Sequence, residues 1–166
     1  MDETSASEPT LREQLLIGLR GEDAHMTFED ATADLPDWAV NQRPPNVEYT
    51  PWNLVEHLRL TQRDMLEYVS DPAYSEREWP RDYWPDPSAE ATPAEFRASV
   101  AAFVADRDSL TAIALDAAID PLAPIPHAPR HTVARCLRVI ANHNSYHTGE
   151  LGALRQVMGA WGPDHR

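Results

Sequence analysis

Nowhere does the 166-residue sequence approach the roughly 18 consecutive apolar residues that a membrane-spanning helix needs. A single cysteine, Cys136, leaves no partner for an internal disulfide, which agrees with a reducing compartment; a cytoplasmic protein is the expectation. The opening residues, MDETSASEPT, hold neither a basic segment nor an apolar one, so no secretory signal is expected there. Basic residues are also few. Lys and Arg number 14 against 27 Asp and Glu, for a formal charge of −13. Nucleic acid is bound through clustered cations that displace counterions, and anionic lipid is bound in a similar way, so neither is an expected partner. No Gly-rich loop suited to phosphate and no convincing Ser or Cys nucleophile triad is present.

What is present is a helical pattern with 42% hydrophobic residues, enough for one core. The length fits one domain over residues 1–166, with residues 1–9 as a polar, disordered tail. Apolar residues at helical spacing predict a first helix over residues 11–35, with Ile17, Ala24, Phe28, Ala31 and Leu35 on one stripe and Gly21 in its interior. Pro36, Pro44 and Pro45 then deny helix continuation. Thr50-Pro51 opens a second helix, because Thr caps the free N–H groups and Pro at the first position has no N–H to lose. Its face is expected to carry Leu54, Leu58, Thr61, Met65 and Tyr68, with His57 bordering it.

A long connection follows over residues 70–91, holding Tyr74, Trp79, Tyr83 and Trp84. Loops of that length in a small domain are often functional, and these aromatics either plug the core or cover a site. Thr92, Pro93 and Glu95 make a capping box for the third helix, whose buried stripe is Phe96, Val100, Phe103, Leu110 and Ala114. After a second Pro-rich connection, DPLAPIPHAPRH, the last helix runs from about Thr132 to Met158 and stops at Gly159. Four long helices and no strand signal indicate an all-α bundle.

The last helix carries the feature that most needs explaining. Its stripe, Val133, Leu137, Ile140, Asn144, His147, Leu151, Leu154 and Met158, turns polar in the middle, and His143 lies one turn before His147. Residues four apart on a helix sit about 6 Å apart along its axis, so both rings can reach one ion. An imidazole facing a core without a partner costs about 1–3 kcal/mol per desolvated polar atom. The pair therefore either binds a metal or is hydrogen-bonded to Asn144, Glu150 or a neighbouring helix. A third ligand would come from His57 or, second, His25. Three neutral imidazoles suit Zn, Ni, Fe or Cu and leave coordination positions open. His127 and His131 share the four-residue spacing, but Pro126 and Pro129 break the helix it would need, so they are read as loop histidines. The zinc-peptidase pattern is absent, because Asn144 stands where a general-base Glu would follow the first His. Cys136 is read as a small core residue.

The segment RPPNVEYTPWNLVEHLRLTQRDMLEYV, followed by IANHNSYHTGELGALRQVMGAWG, resembles the DinB-like superfamily, which includes YfiT-like hydrolases and thiol transferases. The likeness rests on His57 within W-x4-H-L and on H-x3-H-x-G at His143 and His147. It implies a four-helix bundle, often a homodimer, with His57, His143 and His147 holding one divalent transition metal, Zn, Ni, Fe or Mn. It further implies a stress-response role and an S-transferase reaction using bacillithiol or mycothiol, a metal-dependent hydrolase, or a metal or small-ligand binding protein without turnover. Glu150 stands where many relatives carry Gln, placing an extra negative charge in the pocket.

Overall fold

The computed structural model describes residues 4–163 apart from residue 23, with the backbone alone for residues 4–9. Of the tail expected over residues 1–9, residues 1–3 lie outside the described residues, and residues 4–9 are backbone helix. The elements are α1 (Thr4–Arg20), α2 (Phe28–Thr32), a 3-10 turn (Asp37–Ala39), α3 (Pro51–Ser70), α4 (Pro93–Leu115), β1 (Pro124–Ile125), β2 (Ala128–Thr132) and α5 (Val133–Met158). Among the described residues no helix is long and apolar enough to cross a membrane.

Local chemistry explains most of these boundaries. Thr50 and Thr92 each accept a hydrogen bond from the N–H three residues on, and the side chains of Asn53 and Glu95 reach back to complete capping boxes. Thr132 caps α5, and Gly159, at φ 66°, ends it in the left-handed conformation that glycine tolerates best. Gly21 does the same for α1. It sits at φ 71°, its N–H bonds to Gly18, and the Glu22 N–H reaches back to the Ile17 carbonyl. The single first helix expected over residues 11–35 is therefore two helices, because Gly21 terminates α1 rather than weakening its interior. The second correction concerns strands. The connection expected to be irregular forms a small antiparallel ribbon, in which Pro124 faces Thr132 and Ile125 faces Ala128. Proline forbids helix there but accepts the edge of a two-stranded ribbon.

The four long helices close into an all-α bundle in which α3 and α1 each pack against both α4 and α5. One apolar cluster gathers Phe28, Leu54, Leu58, Phe103 and Leu151; a second gathers Leu19, Leu66, Leu110, Leu137 and Ile140. Between them runs a polar layer. Gln62, wholly buried, donates to the Phe103 carbonyl at 2.8 Å and accepts from Asn144 Nδ2 at 2.6 Å, joining α3, α4 and α5. This shifts two expected stripes. On α3 the core positions are Gln62 and Leu66, while Thr61, Met65 and Tyr68 are half-buried. On α5 Thr148 takes the core position expected for His147, which stands half-buried beside it. Steps of three and four both keep a helix stripe, and apolarity could not choose between them where the stripe is polar.

Candidate metal centre

Packing of α3 on α5 brings His57, His143 and His147 together. One nitrogen from each lies within 4.8 Å of the others. The rings stand edge-on, with centroids 4.5–5.0 Å apart. His57 is 1% exposed; the other two are half-buried.

Neighbouring acceptors fix two of the tautomers. His57 Nδ1 lies 2.7 Å from the Tyr83 carbonyl, which only accepts, so Nδ1 carries the proton and Nε2 keeps its lone pair. His147 Nδ1 donates to Glu150 Oε2 at 2.6 Å, freeing its own Nε2. Glu150 Oε1 in turn accepts from the Tyr49 hydroxyl at 3.1 Å. Burial, and then the bond to Glu150, push the Tyr49 hydroxyl up to about 12, so it remains a donor. A carboxylate behind an imidazole raises its basicity as a ligand and sets its orientation.

His57 Nε2 and His143 Nε2 are 3.1 Å apart. Two nitrogens on one ion at about 2.0–2.1 Å, with angles between about 90° and 110°, stand about 2.8–3.4 Å apart, so the spacing fits a shared ion. His143 Nδ1 is buried without a hydrogen-bond partner. Burial pushes both His57 and His143 down to about 4, so the rings stay neutral, as ligation demands.

Those depressed values set the stability of the metal-free protein against pH. An unfolded histidine takes its proton near 6.5, whereas these two refuse it until about 4, so the unfolded chain binds more protons in between. Stability is therefore expected to fall as pH drops from about 6.5 towards 4. His143→Ala should show a smaller drop in its urea midpoint over that range, and an unchanged drop would contradict the assignment.

The long connection covers one side of this centre. Trp84 stacks on His57 with centroids 3.8 Å apart and planes 4° from parallel, and Trp79 stands edge-on to the same ring at 6.4 Å. Asp64 anchors the connection: its carboxylate accepts from the Tyr74 and Tyr83 hydroxyls, each at 2.9 Å, and forms an ion pair with Arg77, 3.1 Å from its Nε. Sequence reasoning missed Asp64, although it lies seven residues after His57 on the same side of α3, where a carboxylate beside a histidine is a signal. Beside the three rings opens a cavity of about 380 Å³.

The remaining described histidines lie elsewhere. His25 bonds to the Met26 carbonyl and to Ser145 Oγ. His131 bonds to the Tyr68 hydroxyl, and His127 packs on Tyr68 and Tyr74. Cys136 is fully buried, and burial pushes its thiol up, away from the reactive thiolate. The charge expected from Glu150 is committed to His147 and Tyr49. Glu150→Ala is expected to weaken metal binding about 10–100-fold with the fold intact, as read by chelator competition. An unchanged affinity would mean that Glu150 does not orient His147.

A family model described as the DinB superfamily matches residues 20–151. No curated protein and no solved structure matches the chain.

Proposed function

The chain belongs to the DinB superfamily, and from that premise we propose that it is a divalent-metal-dependent enzyme, a low-molecular-weight-thiol S-transferase held in one domain over residues 1–166. His57, His143 and His147 are the proposed ligands, and bacillithiol or mycothiol the proposed cosubstrate. The observation that carries the proposal is the convergence of three imidazoles, two with their Nε2 lone pairs freed by fixed tautomers, beside a cavity of about 380 Å³. A divalent ion with three imidazole ligands keeps coordination positions open and lowers the pKa of a thiol or water bound there.

The chain's own residues do the rest. The Tyr83 carbonyl and Glu150 hold two rings in register, and Trp84 covers the His57 ring against water. Met65, Val139 and Ile140 receive the electrophile from the helix side. The bond formed joins the cosubstrate sulfur to the electrophilic carbon; the leaving group departs with its electron pair, and the thiol proton passes to solvent. A free thiol of pKa about 8.5 needs a far smaller shift than water to become an anion at neutral pH. Among the described lining residues the carboxylate is Asp64, which already accepts from two tyrosines and is ion-paired with Arg77, and so is poorly placed to take a proton from water. That favours the transferase over the hydrolase.

The test is turnover of a chromogenic electrophile by metal-loaded protein with each thiol. Turnover is expected to require both metal and thiol, to vanish with a chelator, and to persist in Cys136→Ala, because the attacking sulfur is the cosubstrate's. Loss of activity in folded, metal-loaded Cys136→Ala would demand a protein nucleophile. Cleavage of an ester or amide without thiol would put the hydrolase in its place, and metal uptake without any turnover would leave a binding protein. A cytoplasmic homodimer acting in a stress response belongs to the same proposal, and sedimentation tests the dimer.

A further inference from the structure

The walls of the cavity beside the three histidines differ sharply from the histidine end. Met65 on α3 and Val139 and Ile140 on α5 form one side, and Trp79, Tyr83 and Trp84 from the connection form the other. Trp79 is 66% exposed although it stands edge-on to His57, so a ligand in the cavity can remove apolar indole surface from water.

Most of the polar groups in these walls already have partners. Thr61 Oγ1 donates back to the His57 and Leu58 carbonyls at 2.9 and 3.0 Å. The Tyr83 hydroxyl donates to Asp64. Asp64 accepts from Tyr74 and Tyr83 and is ion-paired with Arg77. Away from the histidines, the donors the walls leave for a ligand are the neutral indole N–H groups of Trp79 and Trp84. The walls hold no cation: the lining residues include no arginine, and lysine is absent from the whole sequence. Arg77, which touches Asp64 from behind, is itself shared between Asp64 and Glu67. An anionic group away from the histidine end would lose its water, find no cation and face the Asp64 carboxylate.

We infer that this cavity takes the electrophile of the proposed reaction, that the electrophile has a flat, apolar, uncharged body whose polar anchor points to the three histidines, and that the walls discriminate against bodies carrying a negative charge. The inference rests on the proposed metal-dependent function for what the anchor meets, and on the walls alone for the body. Absence of a matching cation is as effective a filter as any contact, since discrimination is a difference between two affinities.

Two thiols with the same anchor and different far ends test it: 4-methylbenzenethiol and 4-mercaptobenzoate, titrated by calorimetry into both metal-loaded and metal-free protein. The neutral thiol is expected to bind at least about tenfold tighter in both forms. Val139→Lys, which places a cation in the wall, should narrow or reverse the preference. Equal or tighter binding of 4-mercaptobenzoate to the unaltered protein would overturn the inference, and so would failure of 4-methylbenzenethiol to bind in either form. If the protein takes up no metal, the proposed function fails, while the metal-free titrations still decide what the walls select.

Discussion

Replacing His143 with alanine is expected to lower metal affinity by more than about 100-fold, since losing a group that merely orients a ligand already costs about 10–100-fold. His57→Ala and His147→Ala should do the same. Each ring supplies one of three converging nitrogens, and an alanine leaves a gap that no other side chain of the centre is placed to fill. Asp64 is occupied by Tyr74, Tyr83 and Arg77, and Glu150 by Tyr49 and His147. His25→Ala, His127→Ala and His131→Ala should leave affinity unchanged, because their partners lie outside the centre. Competition against a chromophoric chelator measures all six. Loss of metal in His25→Ala, or retention in His143→Ala, would mean that the ligand set has been wrongly drawn.

The largest effect on stability is expected at Arg155, which is 1% exposed and, among the described residues, has no carboxylate hydrogen-bonded to it. Its guanidinium donates to the Ala31 carbonyl at 2.9 Å, to Ala33 at 2.7 Å and to Ala160 at 3.1 Å, and it lies 3.7 Å over the Trp161 ring. One side chain thus fastens the end of α2 and the chain after α5 to the bundle. Arg155→Ala strips three carbonyls of a charged donor and opens a void, for an expected loss of about 3–5 kcal/mol. Arg155→Met refills most of the volume but not the hydrogen bonds, and should fall between the two. Urea midpoints at constant slope give the comparison. A loss under about 1 kcal/mol in Arg155→Ala would show that the cost of desolvating the guanidinium nearly offsets its bonds.

Arg155 also marks where the sequence stops being legible. The start of α3 and α4 and the end of α5 follow from Thr50, Thr92 and Gly159, because caps act within four residues of the chain. Gly21 carries the same kind of signal, but the apolar stripe continues through α2 on the far side of the break and hides it. Arg155 and Gln62 look like solvent-facing polar residues in any local pattern. Only the carbonyls of Ala31, Ala33, Ala160 and Phe103, brought from elsewhere in the chain, bury them. The centre divides along the same line. The spacing of His143 and His147 and the position of Glu150 three residues later are readable along one helix. That His57 joins them and His25 does not is decided by the packing of α3 on α5. That the aromatic connection covers the rings depends on the reach of Tyr74 and Tyr83 back to Asp64.

Everything catalytic in this account presupposes an ion among the three histidines. Elemental analysis of the purified protein, loaded with a divalent transition metal and passed through a desalting column, tests that claim most directly. The account expects about one ion per chain in the unaltered protein and none above background in His57→Ala/His143→Ala/His147→Ala. No bound metal in the folded, unaltered chain, or equal metal in the triple variant, would contradict it.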